Sequence, residues 1–207
     1  MNLIIAKDIN KGFLFRPDSS LVRNQSEYYI PDYIESLSFA PVLCVKVFKP
    51  GKAISPKFIL RHIDTFNYGV LLYPDLKKDV MNSASEFEKF TVVNSLDYST
   101  IIPLTGFPFF EYSAHRSKYK EVSPLEQNEP IKDNFFRLFV NGHIKNTILN
   151  LPDKEFIFEK ISEISKYYSL KIGDFILFEL APKSSINPDQ QLIAKIGNDI
   201  VINFIVK

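Results

Sequence analysis

Phe39-Ala40-Pro41-Val42-Leu43-Cys44-Val45-Lys46-Val47 is the most strand-like apolar run of the 207-residue chain, and Lys46 is its only charge. β-Branched and aromatic side chains dominate it, which predicts a strand at the centre of the fold. Alternate residues of a strand share a face. Neither Phe39 with Pro41 nor Ala40 with Val42 therefore offers a metal an oxygen, nitrogen or sulfur ligand. Pro41 lies early in the run and predicts an edge, a bulge or a distorted start.

Upstream, Leu3–Ala6 reads as a short strand, Lys11-Gly12 as a turn and Phe13-Leu14-Phe15 as a second strand. Arg16-Pro17-Asp18-Ser19-Ser20 breaks that pattern, since Pro and Asx residues favour turns. Tyr28 to Asp32 is extended, because the residue before Pro31 is pushed out of the helical region. Downstream, Lys49-Pro50-Gly51-Lys52 is a turn. Ser55-Pro56 reads as a helix start with Ser55 as N-cap, followed by Phe58, Ile59, His62 and Ile63 at helical spacing. Residues 66–73 read as a strand around Gly69. Glu86, Glu88 and Lys89 form a solvated face, and Thr91-Val92-Val93 predicts another strand. Residues 102–130, rich in Pro, Ser and Glu, read as a long surface excursion.

The last third is plainer. Phe135 to Val140 is a strand closed by Asn141-Gly142, a strong hairpin signal, with residues 143–149 returning. Asp153 caps a helix with apolar face Phe156, Ile157, Ile161, Ile164 and Tyr168. Leu170 to Asp174 is a turn, residues 175–180 a strand, residues 194–199 a second turn and residues 200–206 the last strand. Many strands, few helices and no regular βα alternation predict a β-rich α+β fold in one domain spanning 1–207.

Composition removes several function classes. Lys+Arg (25) nearly balances Asp+Glu (24), so no global field steers a nucleic acid or an anionic membrane. The aromatic residues lack the basic interleaving of a base-stacking surface. Cys44 is the only cysteine and reads as a small buried hydrophobe, so an intrachain disulfide is excluded. With 7 glycines the chain has neither phosphate-binding nor dinucleotide-binding loop. No run approaches the ~20 apolar residues of a spanning helix, and the N-terminus lacks a signal-peptide pattern. The expected location is the cytoplasm.

Catalytic residue types are present without their partners. His62, His115 and His143 have no His or Cys at metal spacing. His62 reads as a core or surface residue, His115 as solvated and His143 as a strand or turn residue. Ser19-Ser20 and Ser184-Ser185 lack the Gly-x-Ser-x-Gly elbow. Glu86/Glu88 and Glu155/Glu159 read as solvated pairs, with no apolar background to shift a pKa.

Several segments, taken in order, resemble the fumarylacetoacetate hydrolase family. Phe13-Leu14-Phe15-Arg16-Pro17-Asp18-Ser19-Ser20 is similar to the family's Phe-Leu-Lys-Pro stretch and the polar turn after it. Tyr29-Ile30-Pro31-Asp32 sits where the family enters its metal-binding strand. Asn141-Gly142 resembles its hairpin, and Leu170-Lys171-Ile172-Gly173-Asp174-Phe175-Ile176 its Leu-Lys-Pro-Gly-Asp-x-Ile ending. The resemblance implies the family's C-terminal-domain-like mixed β fold with a few short helices, and the homodimer the family commonly forms.

The same resemblance implies a lost site. The family holds Mg²⁺ or Mn²⁺ with a Glu-x-Glu pair on the central strand and a later Asp, since a hard cation wants carboxylate oxygens. The matching positions here are Ala40, Val42 and Leu71. The family's His-x-x-Glu helix, which orients the attacking water, has no counterpart, because Asn10 leads directly into Phe13-Leu14-Phe15. A family Lys corresponds to Asn94, while Asp97 is retained. The Gly-Thr-Pro-x-Gly loop corresponds to Glu179-Leu180-Ala181-Pro182-Lys183.

Three expectations follow. The leading one is a catalytically inactive relative with no metal cofactor and a binding or structural role, as a homodimer or paired with an active relative. The second is an active hydrolase or lyase on a small oxo-acid, of acylpyruvate or oxaloacetate type, with a relocated site drawn from Asp75, Asp97, Arg16 and His62. The third is an organic-acid sensor in which the planar fork of Arg16 meets a carboxylate.

Overall fold

Two 14-residue antiparallel strands form the centre of the protein in a computed structural model, which describes residues 1–6, 12–23, 26–120 and 135–207, and no side chains at 118–120. In chain order the first elements are β1 (Leu3–Ala6), β2 (Phe13–Arg16), β3 (Leu21–Val22), β4 (Glu27–Tyr28), β5 (Ile34–Val47) and β6 (Ile63–Leu76). Then come α1 (Lys78–Ser83), α2 (Glu86–Ser95), β7 (Thr100–Ile101), β8 (Phe107–Pro108) and α3 (Tyr112–Lys120). The chain ends with β9 (Phe136–Val140), β10 (His143–Thr147), α4 (Lys154–Tyr167), β11 (Phe175–Glu179), β12 (Ser184–Ile186), β13 (Gln191–Ile196) and β14 (Asp199–Val206). The fold class is the α+β, sheet-rich one expected.

The larger sheet has the order β2-β1-β11-β5-β6-β7-β3, with β12 also on β5 and β8 on β6. The smaller runs β10-β9-β13-β14-β4. Both faces of β5 are buried, which explains its continuous apolar reading. Phe39, Leu43 and Val45 enter the main core, shared with Leu138, Leu192 and Phe204 of the smaller sheet and Ile157, Ile161 and Ile164 of α4. Ala40, Val42 and Cys44 enter a second apolar cluster on the opposite face. Burial pushes the Cys44 thiol well up, so it stays protonated and inert.

Pro41 is neither at an edge nor at a bulge. β11 pairs with β5 as far as Val42, β12 begins its pairing at Phe39, and Pro41 falls in the gap. The Pro41 carbonyl still accepts from Leu180 N at 2.9 Å. The missing N–H faces the one point of that edge where no partner strand needs it.

Other expectations are corrected. The segment after Ser55 is a 3₁₀ helix, Pro56–Arg61, and Ser55 makes no side-chain cap. Only Ile59 of it is buried, too little to stabilise a full α-helix. Thr91-Val92-Val93 lies in α2, not in a strand. Its start carries a capping box, with Ser85 Oγ accepting from Glu88 N at 3.3 Å and Glu88 Oε2 from Ser85 N at 2.7 Å. That reciprocal pair outweighs the weak β preference of three residues. The excursion from 102 is not superficial, since Ile102, Phe109 and Tyr112 are buried. His115 is not simply solvated. It shares a hydrogen bond with Tyr68 Oη at 2.9 Å and packs on Phe66 and Phe107. Residues 121–130 of that expectation, and those for Asn10 and Lys11 near the N-terminus, lie outside the described residues. The turn expected from Ala194 is shorter, because residues 191–196 form β13 and the reversal is at Gly197-Asn198. Asp153 is the N-cap of α4 by backbone, but its carboxylate pairs with Arg116 and caps no amide.

The Asn141-Gly142 hairpin is as read, with φ of +49° and +80°. Open space surrounds the position of a Gly142 Cβ. Gly142→Ala is therefore expected to lower stability by about 1 kcal/mol, through left-handed strain alone, as a shift of the urea midpoint at constant slope.

Candidate functional site

Antiparallel register sets Ala40 directly opposite Leu71, and Val42 lies one pleat along on the same face. All three have no exposed surface. Leu3, Ile5, Cys44, Ile102, Phe175 and Leu177 pack around them. The three positions that the family resemblance assigns to a cation thus converge on one point, and hydrocarbon fills it. Their side chains carry no ligand atom, so these residues do not fit a Mg²⁺ or Mn²⁺ there. Among the described residues no group of three His, Cys, Asp or Glu side chains gathers around a candidate cation position.

Tyr73 continues this face and closes it. Its hydroxyl donates to Glu179 Oε1 in a short bond. Lys183 Nζ lies 3.6 Å from the centre of its ring and Arg16 Cζ 4.9 Å. Cations over a tyrosine face are attracted by the ring quadrupole. Burial, then the negative charge of Glu179, pushes the Tyr73 phenol far up, which keeps it a proton donor. Arg16 is 1% exposed and works as an internal clamp. Nη1 donates to Ser99 O and Ser99 Oγ, both at 3.0 Å, and to Thr100 Oγ1 at 3.2 Å, while Nη2 donates to Leu72 O at 2.8 Å. Burial pulls its guanidinium down, and Tyr73, Glu179 and Tyr28 pull it back up.

No family model matches the sequence, and no curated protein matches it either. Solved structures do match over the whole chain. A protein assigned to the fumarylacetoacetate hydrolase family from Yersinia pestis CO92 superposes with a TM-score of 0.67 at 16% identity, covering 100% of this chain and 92% of its own. The chain has the fumarylacetoacetate hydrolase fold. A 2-hydroxyhepta-2,4-diene-1,7-dioate isomerase from Mycobacterium marinum gives a TM-score of 0.68 at 16% identity, covering 99% of this chain and 73% of that one. A fumarylpyruvate hydrolase from Pseudomonas aeruginosa, solved with Mn²⁺ and pyruvate, gives 0.68 at 12% identity, covering 100% and 89%. At these identities the likeness is one of fold.

On this fold an open groove of about 680 Å³ remains outside the Tyr73 closure, with Asp75, Lys89, Asn94 and Lys183 on its walls. Asp75 lies there and accepts from Ser36 Oγ at 2.6 Å. Asp97 does not, for it lines a separate cleft beside Tyr28 and Tyr33. His62 precedes the first residue of β6, shares a hydrogen bond with Lys49 O, and stands roughly 40 Å along the strand from Asp75 at its far end. Asp75, Asp97 and His62 are therefore not one constellation. Arg16 is likewise not a solvent-facing hook, because both terminal nitrogens are engaged inside the core.

Sequence reasoning missed Tyr73, Glu179 and Lys183 as a group. Glu179 was the one visible signal, a lone carboxylate ending the apolar run of β11. Nothing along the chain places it against a tyrosine 106 positions away.

Proposed function

We propose that this chain is a catalytically inactive protein on the fumarylacetoacetate hydrolase fold, with a binding or structural role. The observation that carries this reading is the apolar seal at Ala40, Val42 and Leu71. A divalent cation placed there would exchange its water for hydrocarbon, and the carboxylate beside it, Glu179 opposite Val42, is already bonded to Tyr73. Tyr73, fixed between Arg16, Glu179 and Lys183, adds a second closure over the same point.

Manganese titration followed by electron paramagnetic resonance is the test. The expected result is no stoichiometric site tighter than about millimolar, and no turnover of an acylpyruvate or oxaloacetate with or without added Mg²⁺ or Mn²⁺. Stoichiometric Mn²⁺ binding that disappears in Asp75→Asn or Glu179→Gln would instead place an active hydrolase or lyase site in the groove. No helix among the described residues is long and apolar enough to cross a membrane. The proposal places the protein in the cytoplasm, as a homodimer or as the partner of an active relative. Sedimentation velocity on the purified chain decides between the homodimer and a monomer awaiting that relative.

A further inference from the structure

A second cleft, of about 560 Å³, lies where β4 and the chain after it face the C-terminal end of α2. Its size falls within the roughly 300–1,000 Å³ of small-molecule sites. Four of the chain's ten tyrosines line it, Tyr28, Tyr29, Tyr33 and Tyr98, together with the carboxylates Glu27 and Asp97. No lysine or arginine is among the lining residues. In a chain of net charge +1 this is a local concentration of aromatic faces and negative charge. We infer that the cleft binds a small organic cation of the quaternary or methylated ammonium class.

Ring faces carry negative quadrupole potential, and a poorly hydrated ammonium is the ligand that gains most from several of them at once. The Asp97 carboxylate adds negative charge. Asp97 lies close enough to act on both Tyr28 and Tyr33, and burial holds both phenols up and neutral, followed by Asp97 at Tyr33 and by Tyr33 at Tyr28. The walls are also fixed before any ligand arrives. Lys77 N donates to Tyr33 O at 3.0 Å, Ile30 N to Lys207 O at 2.8 Å and Tyr98 N to Ser19 O at 3.2 Å. Tyr29 Oη donates to Glu27 Oε2 at 2.6 Å, holding that carboxylate at the rim.

Tyr28 is the most buried of the four tyrosines. It is 2% exposed, and its hydroxyl has no hydrogen-bond partner among the described residues. A buried polar atom left in this way marks a place where another group belongs. Arg16 is the nearby cation and acts on Tyr28 from the core side, and the Glu179 carboxylate beside Arg16 opposes its charge.

The test uses the full chain and its own fluorescence, since it has ten tyrosines and no tryptophan. Choline chloride is titrated against its neutral isostere 3,3-dimethylbutan-1-ol, with calorimetry as a second readout. Choline is expected to bind saturably and the isostere about tenfold more weakly or worse. Tyr33→Leu and Asp97→Asn, both at partly or fully exposed positions, are each expected to weaken choline about fivefold or more. Asp199→Asn, roughly 20 Å away along β14 from its pairing with β4, is expected to change nothing. A peptide bearing trimethyllysine is a third probe. Binding tighter than choline puts the ammonium on a protein side chain, weaker binding leaves it a free small molecule, and either supports the site. Equal binding of choline and its isostere, or choline binding untouched by both variants, overturns the inference.

Discussion

Arg16→Met is expected to lower folding stability by about 4 kcal/mol, measured by urea unfolding with tyrosine fluorescence and circular dichroism in parallel. The side chain is 1% exposed and joins β2 to β6 and to the segment entering β7 through four hydrogen bonds. Leu72 N donates to Ser99 O, so the Leu72 carbonyl faces the same edge, where Arg16 is its donor. Methionine fills the volume but leaves that carbonyl unpaired in the core, and a buried acceptor without a donor costs about 1–3 kcal/mol. It also removes the buried positive charge beside Glu179. Arg16→Lys keeps a charge but not the fork that reaches Leu72 and Ser99 together, so it is expected to recover less than about half of the loss. A methionine variant within about 1 kcal/mol of the parent would show that the clamp is not a principal support of this edge.

Gly69→Ala is expected to cost about 3 kcal/mol or to abolish soluble folding. Gly69 sits opposite Val42 on the central strand pair. A Cβ there would stand 2.6 Å from the Ile101 carbonyl oxygen and 3.1 Å from Cys44 Sγ. The first contact is with backbone, which cannot rotate away, and relief requires β7 to move off β6. Cys44→Ala in the same chain removes only the second contact, so the double variant is expected to remain well below the parent in urea midpoint. Full rescue by Cys44→Ala would assign the strain to the sulfur instead.

How much was legible varied with the range of the forces involved. The Asn141-Gly142 hairpin, α4 and the strands at Leu3, Phe13 and Phe175 rest on local rules, and residues within a few positions of one another express them. The α2 helix was legible too, in Ser85-x-x-Glu88, but three β-branched or small apolar residues drew the reading toward a strand. The 102–120 segment was misread because Pro and Ser resemble surface loop when burial is not visible. Its Phe109 and Tyr112 are held by rings from β6 and α4, such as Phe66 and Phe158, far away in sequence.

Sequence alone determined that the cation-ligand positions implied by the family resemblance hold Ala40, Val42 and Leu71, because the absence of a carboxylate is a property of covalent structure. It also determined that strands predominate, since side-chain alternation is written residue by residue. Only the tertiary structure decided that Ala40 and Leu71 face one another in a sealed cluster, that Arg16 is a clamp and not a hook, and that Asp75, Asp97 and His62 are apart. It alone gathered Tyr28, Tyr33 and Asp97 around one cleft. Each of those facts depends on strand register and on packing between segments distant in the chain, which no local interaction fixes.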